Sequence, residues 1–446
     1  MTTYYEEREA LDVVEREGRL FARLPEALLR ARERAPAVAR QLAGLDANQI
    51  RDRSALAMIP VLRKSELVQR QKAAHEAAAE DAIRTDDLAR PVRHTDGPNV
   101  STQARAVQER VFGGFSSIGW GQAARVFCSP GPIYEPESHR KDYWGFARAL
   151  YAAGFRAGEL VHNCFSYHFT PAGSMMETAA HALGCTVFPG GIGQTEQQLQ
   201  AMLDLLPGGY TGTPSFLRII LEKAEELGTT VPSLKRALFS GEAYPPSLHA
   251  WFRDRGVDGF QAYGTADLGL IAYETSAREG LIVNEDLILE IVRPGTNDPV
   301  PEGEVGEVVV TTLNPDYPLL RFGTGDLSAI LPGASQCGRG NLRIRGWMGR
   351  ADQTTKVRGM FVHPGQIAQI VQRHPRVRRA RMVVSGAVGK DSMVLRIETD
   401  EMSPTLLEEV GQTVREVTKL RAEVEYVAPG TLPNDGKVIE DARDYQ

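Results

Sequence analysis

Only four cysteines occur in the 446 residues, and Cys128, Cys164, Cys185 and Cys337 lack any paired spacing. Their scatter indicates neither a disulfide framework nor a CxxC metal site, and free thiols in a reducing compartment fit best. His162-Asn163-Cys164, with His168 nearby, lacks the ligand spacing of zinc sites, so buried packing is expected there. No uninterrupted apolar run reaches the roughly 20 residues that a bilayer crossing requires. The opening residues, Met1 to Arg8, are polar and mixed in charge with no apolar segment behind them, which speaks against a secretory signal and for a cytoplasmic location. A positive balance is missing as well. Lys and Arg number 51 against 57 Asp and Glu, a net charge of -6, whereas a nucleic-acid partner would call for a basic face. Arg373, Arg376, Arg378, Arg379 and Arg381 form a local exception that could meet a phosphate-bearing ligand or solvate a strand edge, the second being the expectation.

What is present is an ordinary globular composition, 42% hydrophobic and 24% charged, in a chain too long for one core. Leu11, Val14, Leu20, Leu24, Leu28 and Leu29 recur at helical spacing between Tyr5 and about Arg40. The stretch 73–107 turns polar and Ala-rich with little apolar periodicity, and is expected to be a surface insertion. From Tyr143 to Pro332 helical patterns alternate with short apolar strands at Leu160-Val161-His162, Thr186-Val187-Phe188, Ala237-Leu238-Phe239 and Phe260-Gln261-Ala262-Tyr263, the order of an α/β sheet. Two of these strands run into Ser240-Gly241-Glu242 and Gly264-Thr265. Polar and glycine residues just past strand ends are where α/β folds collect ligands. The final hundred residues read as a separate α+β unit, with strands at Arg381–Val384 and Met393–Ile397 and a helix opened by Ser403-Pro404.

Three segments carry chemistry when taken in order. Arg321-Phe322-Gly323-Thr324-Gly325-Asp326-Leu327 places an aspartate on a glycine-flanked turn, where it can accept bonds from ribose hydroxyls. Gly349-Arg350-Ala351-Asp352 follows with an arginine that can reach phosphate or ribose. Pro433-Asn434-Asp435-Gly436-Lys437 ends with a lysine suited to a reacting phosphoryl group. Each alone is a common turn or solvated loop. The ordered set points to nucleotide-dependent acyl activation.

With Gly190 to Gln198, Thr211-Gly212-Thr213-Pro214-Ser215, Thr311-Thr312-Leu313 and Arg358 to Pro364 also in order, the chain resembles the phenylacetate-CoA ligase family of the adenylate-forming enzymes. The resemblance runs from the N-terminal helices through Lys437, interrupted mainly at about 73–107. It implies a large N-terminal adenylate-forming domain, 1–349, of layered sheets and helices, and a small mobile α+β lid, 350–446. It also implies an AMP-forming ligase that joins a small carboxylic acid to ATP with magnesium and passes it to coenzyme A. A homodimer is admitted but not demanded.

By that resemblance Ser240, Gly241, Glu242, Tyr263, Gly264 and Thr265 line the adenine and acyl-adenylate crevice. Asp326 holds ribose, Arg350 assists at ribose or phosphate, and Lys437 bridges carboxylate and α-phosphate. Asp352 matches the hinge, Arg358 and Gly359 the pantetheine channel. Phe165, Tyr167, His168 and Phe169 sit where the family binds an aryl acid. Asp267 stands where the family has a glutamate as magnesium ligand.

The departures are local. The family's phosphate loop is Ser/Thr/Gly-rich and ends in Lys-Pro; here it is Ser129-Pro130-Gly131-Pro132-Ile133-Tyr134-Glu135-Pro136. Ser129 and Gly131 survive, two prolines remove donors, and Glu135 brings a charge of the wrong sign, so ATP should bind weakly or not at all. At the zinc position of some members only Cys337 persists, beside Tyr273-Glu274-Thr275 and Ile282, so no zinc is expected. Two other functions stay open: a non-catalytic relative that binds an acyl or nucleotide ligand, and a ligase whose acceptor is a carrier-protein thiol.

Overall fold

The computed structural model describes residues 4–351, apart from 86–107, and then 353, 355–357, 360–386, 392–400 and 403–443. Its chain falls into two compact units: Met1–Leu289 with Val310–Phe322 and Leu331–Gly346, and Glu290–Val309 with Gly323–Ile330 and Trp347–Gln446. The sequence reading has a single boundary at 349/350. The structure instead counts two earlier stretches with the C-terminal part, because Val305, Leu327 and Ala329 share a small core with Ala351.

In the first unit, helix Val13–Arg34 starts where the Asp12 carboxylate accepts from the amides of Val14 and Glu15, both at 2.9 Å. This N-cap satisfies donors that the first turn cannot. Leu20, Leu24, Leu28 and Ala31 then fall on one buried stripe, which packs with Ile50, Leu56, Ile288 and Leu320. Arg321, wholly buried, ties this region together by donating to the carbonyls of Ala57 and Ile59 at 2.8 and 2.7 Å. Helix Lys64–Thr85 runs into the stretch read as an aperiodic insertion. Ala73, Ala74, Ala77, Ala78 and Ala79 explain the difference, since alanine favours helix without marking an apolar face. The rest of that stretch, 86–107, lies outside the described residues.

A two-stranded hairpin, β1 (Ala123–Ser129) and β2 (Ile133–Ser138), precedes the main sheet. The sheet contains β3 (Leu160–Asn163), β4 (Thr186–Phe188), β5 (Gly209–Gly212), β6 (Arg236–Phe239), β7 (Asp258–Thr265) and β8 (Gly269–Glu274), side by side in the order β8-β7-β6-β5-β3-β4. β3 to β7 pair in parallel, and β8 returns antiparallel to β7. Parallel pairing demands helical crossovers, and helices Ala172–Leu183, Thr195–Leu205, Pro214–Glu226 and Pro246–Arg253 supply them. The sequence ends the seventh strand before Gly264-Thr265, whereas β7 continues through both. Gly264 is required there by contact, not by turning. A Cβ at 264 would lie 2.6 Å from the carbonyl oxygen of Gly269 and 2.9 Å from the Phe146 ring.

The second unit holds a four-stranded sheet in which strand Arg379–Ser385 pairs antiparallel with Ser392–Glu398 and parallel with Ile439–Asp441, while Glu423–Val427 flanks the far side. Helix Pro404–Thr418 buries Leu406, Val410 and Val414 at four-residue spacing, and helix Pro364–Arg373 buries Ile367 and Ile370. Both pack into one core with Met382, Val384, Leu395 and Ile397. The arginine-rich segment proves internally neutralised. Arg373, Arg376 and Arg378 pair with Glu416, Glu409 and Asp400, Arg381 pairs with Asp435 and Glu440, and Arg379 donates to the carbonyls of Leu432 and Pro433. Among the described residues no helix is long and apolar enough to cross a membrane.

Candidate active site

In the first unit, parallel strands bring the carboxyl ends of β5, β6 and β7 side by side, so Gly212-Thr213, Ser240-Gly241-Glu242 and Gly264-Thr265 border one edge of the sheet. Thr213 caps helix Pro214–Glu226, and the Glu242 carboxylate accepts from the Ser215 amide of the same N-terminus at 3.3 Å. Free N–H groups and the helix dipole favour a carboxylate there. Gly241 turns with φ +81°. Thr265 accepts from the Leu268 amide at 3.2 Å, closing the turn that carries Asp267.

Asn163, wholly buried at the end of β3, organises the next loop. Its amide donates to the Tyr167 hydroxyl and the Gly173 carbonyl at 2.8 and 2.9 Å, and its Oδ1 accepts from Thr211 at 2.9 Å. The four residues expected at an aryl-acid pocket then divide. Phe165 is buried in the core with Trp144, Met175 and Met176, Tyr167 is half-buried and His168 exposed. Phe169 is 79% exposed, with positive φ. Next to them His162, buried on β3, meets Gln198 at 2.6 Å. Burial lowers the imidazole pKa, and the Gln198 contact opposes that in part. Gln198 in turn donates to the carbonyls of Gly190 and Gly191 at 2.8 and 3.1 Å, so the His162-Asn163-Cys164 run serves packing and loop support.

The stretch matching the phosphate loop is a tight hairpin. Ser129 faces Ile133 in the ladder, which leaves Pro130-Gly131-Pro132 as the turn, with Gly131 its one residue bearing an N–H. The Ser129 hydroxyl is taken up by Glu135, whose side chain is wholly buried. Burial first, and then the charge of Asp267, raise the Glu135 carboxyl to about 8. Glu135 is therefore largely protonated at neutral pH, and the repulsive charge expected from sequence is muted. Asp267, 4% exposed, receives the Lys64 ammonium at 2.9 Å on Oδ2, while Oδ1 has no hydrogen-bond partner among the described residues. Lys64 begins the helix whose Gln71 binds the backbone of Tyr134 in both directions, at 3.0 and 2.8 Å. That helix thereby presents a cation beside the stretch 129–136, which contains no Lys or Arg. Sequence reasoning missed Lys64, because no motif surrounds it and its partner lies 203 residues away.

In the second unit Asp326 and Arg350 meet directly. Arg350 donates to Asp326 Oδ1 at 2.8 Å, and Trp347, also missed in the sequence, donates to the same oxygen at 3.1 Å. Gly325, at φ +74°, leaves room for this pair, since a Cβ there would lie 2.7 Å from the Arg350 guanidinium. The lysine loop packs close by. A Cβ at Gly436 would meet Val305 at 2.8 Å and Leu327, the neighbour of Asp326, at 3.0 Å. Asn434 accepts from the Val305 amide at 2.9 Å and donates to the Gly303 carbonyl at 3.1 Å. Asp435 pairs with Arg381 and accepts from the Lys437 amide at 3.0 Å. Lys437 itself is exposed and lines a cavity of about 560 Å³ with Arg293, Glu304 and Arg379. Asp352, Arg358 and Gly359 lie outside the described residues. No group of three or more His, Cys, Asp and Glu side chains converges among the described residues.

Comparison with known proteins bears on this geometry. Residues 139–314 match the model of the AMP-binding enzyme family. A phenylacetate-coenzyme A ligase of Thermus thermophilus is 32% identical over 309 residues, covering 66% of this chain and 69% of that protein. One of Escherichia coli is 28% identical over 342 residues, covering 71% and 78%. Among solved structures, an open conformation of 2-hydroxyisobutyryl-CoA ligase in complex with 2-HIB-AMP and CoA superposes with a TM-score of 0.68 at 23% identity, over 97% of this chain and 92% of that one. At that identity the likeness speaks for the fold. Sequence relatives and fold agree, and the chain belongs to the phenylacetate-CoA ligase family of the adenylate-forming enzymes.

Proposed function

We propose that the protein is an AMP-forming acid–CoA ligase whose substrate is a small carboxylic acid, with an aryl acid as the preferred class. The observation that carries this reading is the Asp326–Arg350 pair in one unit with the lysine loop, whose Gly436 packs on Leu327. Chemically, a carboxylate resists attack by a thiol because of its charge, and making it a mixed anhydride supplies a leaving group. A carboxylate oxygen bonds to the α-phosphorus of ATP as the bond to the bridging oxygen breaks and pyrophosphate departs. The coenzyme A sulfur then attacks the carbonyl carbon and AMP departs. Asp326 accepts bonds from ribose hydroxyls, Arg350 reaches ribose or phosphate, and Lys437 offsets the charge that accumulates on the α-phosphoryl oxygens.

The buried Asp267 Oδ1, without a hydrogen-bond partner among the described residues, is a fitting acceptor for a magnesium ion or one of its waters. Magnesium, when bound, neutralises polyphosphate charge, and Lys64 adds a second positive charge in place of the lysine absent from the hairpin. Ser240, Gly241, Glu242, Tyr263, Gly264 and Thr265 would border the adenine and the activated acyl group. Phe165 and Tyr167 supply apolar surface for a ring.

The test is acid-dependent and CoA-dependent AMP formation across a panel of aryl and short aliphatic acids. We expect AMP and thioester in equal amounts with at least one aryl acid; release with none of the acids would remove the ligase reading. The closed hairpin favours one other reading, a protein that binds an acyl-adenylate without turning ATP over. It would show itself as tight binding of a non-hydrolysable acyl-adenylate analogue with no AMP formed from ATP.

A further inference from the structure

Lys437 can act at a phosphoryl group only if its backbone holds a fixed direction, because four rotatable bonds separate the ammonium from Cα. Its own side chain is exposed and gives no such anchor. The anchor comes from a neighbouring segment. Gln353 Nε2 donates to the carbonyl of Gly436 at 2.9 Å, and Gln353 Oε1 accepts from the amides of Val438 and Ile439 at 2.6 and 2.9 Å. One side chain thus grips the peptide groups on both flanks of Lys437. An amide alone among neutral side chains offers a donor and a double acceptor on one planar group.

We propose that Gln353 is the positioning residue for Lys437, a clamp that fixes the direction in which the lysine leaves its loop. Two further observations fit this role. The grip falls where the loop becomes regular, since the Val438 carbonyl accepts from Met382 at 2.9 Å and Ile439 opens the strand that pairs with Met382. Gln353 also lies three residues beyond Arg350, the partner of Asp326. The same short segment therefore holds the nucleotide-facing arginine and the support of the lysine. Asn434 acts before Gly436, at the Val305 amide, and Asp435 takes the Lys437 amide from within the loop, whereas Gln353 reaches the peptide groups on both flanks of Lys437 from outside it.

The role in catalysis rests on the ligase reading above, and the experiment separates the two. Hydrogen exchange tests the clamp without any activity. In the wild-type protein the amides of Val438 and Ile439 should be protected. Gln353→Ala should speed their exchange about tenfold or more, and Gln353→Glu, which keeps the accepting oxygen, should restore protection. Fast exchange in the wild type, or no change in Gln353→Ala, overturns the clamp whatever the activity.

Kinetics test the positioning. Gln353→Ala should slow acyl-adenylate formation about tenfold with KM for acid and ATP unchanged, and leave transfer from presynthesised acyl-adenylate to coenzyme A intact. Added to Lys437→Ala, it should cause no further loss. Equal losses in both half-reactions, or a double variant slower than Lys437→Ala, would reduce Gln353 to a structural residue and overturn the proposal. A wild-type protein that forms no adenylate would sink the ligase reading, and with it the catalytic part of the proposal, while the exchange result still decides the clamp.

Discussion

Glu135 shows how burial can change the meaning of a residue. At the surface of a phosphate loop its carboxylate would repel polyphosphate. Here it is sealed beside Asp267 and raised to about 8. The consequence for stability has a definite sign. A carboxyl whose folded value lies above its ordinary range binds more protons in the folded state, so the stability it lends is complete below the usual carboxylate pKa and fades as pH rises through about 8. Glu135→Gln removes the titration. We expect its melting temperature to gain on that of the wild type between about pH 5 and about pH 9; parallel curves would contradict the buried placement. Neither this shift nor Lys64 is readable in the sequence, because both follow from contacts between segments far apart in the chain. Asp326, Arg350 and Lys437 can be put forward from the sequence because their residue types and order suggest the chemistry whatever the packing, and the structure brings Asp326 and Arg350 together.

Among elements, the strands at Leu160–Asn163, Thr186–Phe188 and Arg236–Phe239 could be found in advance since each is a short apolar run that ends at glycine or polar residues. β7 was cut short because Gly264 reads as a turn signal, while its role is to admit the Gly269 carbonyl. The extension of the Lys64–Thr85 helix was missed for a different reason: alanine promotes helix without periodicity. The loop Gly190–Gly193 depends on one side chain from outside it. Gln198 donates to the carbonyls of Gly190, Gly191 and Gly193, the last at 3.3 Å, and faces His162 with its oxygen. Gln198→Ala should therefore cost about 1–3 kcal/mol in denaturant unfolding, the penalty for orphaned buried partners. An unchanged midpoint would show that the loop holds itself.

At the scale of the whole molecule, the chain divides its candidate machinery. The first unit presents strand ends, a capped helix and the Lys64–Asp267 pair; the second carries Asp326, Arg350 and Lys437. The sequence placed one boundary at 349/350, and the segments 290–309 and 323–330 escaped it because their membership in the second unit depends on tertiary packing around Val305, Leu327 and Ala351. By the function proposed above, Lys437 serves the first chemical step and not the second. Single-turnover measurement of both half-reactions in Lys437→Ala tests it most directly. Acyl-adenylate formation should fall on the order of 10²–10³-fold while presynthesised acyl-adenylate still passes to coenzyme A at the wild-type rate. Adenylate formation at the wild-type rate without the lysine would contradict it.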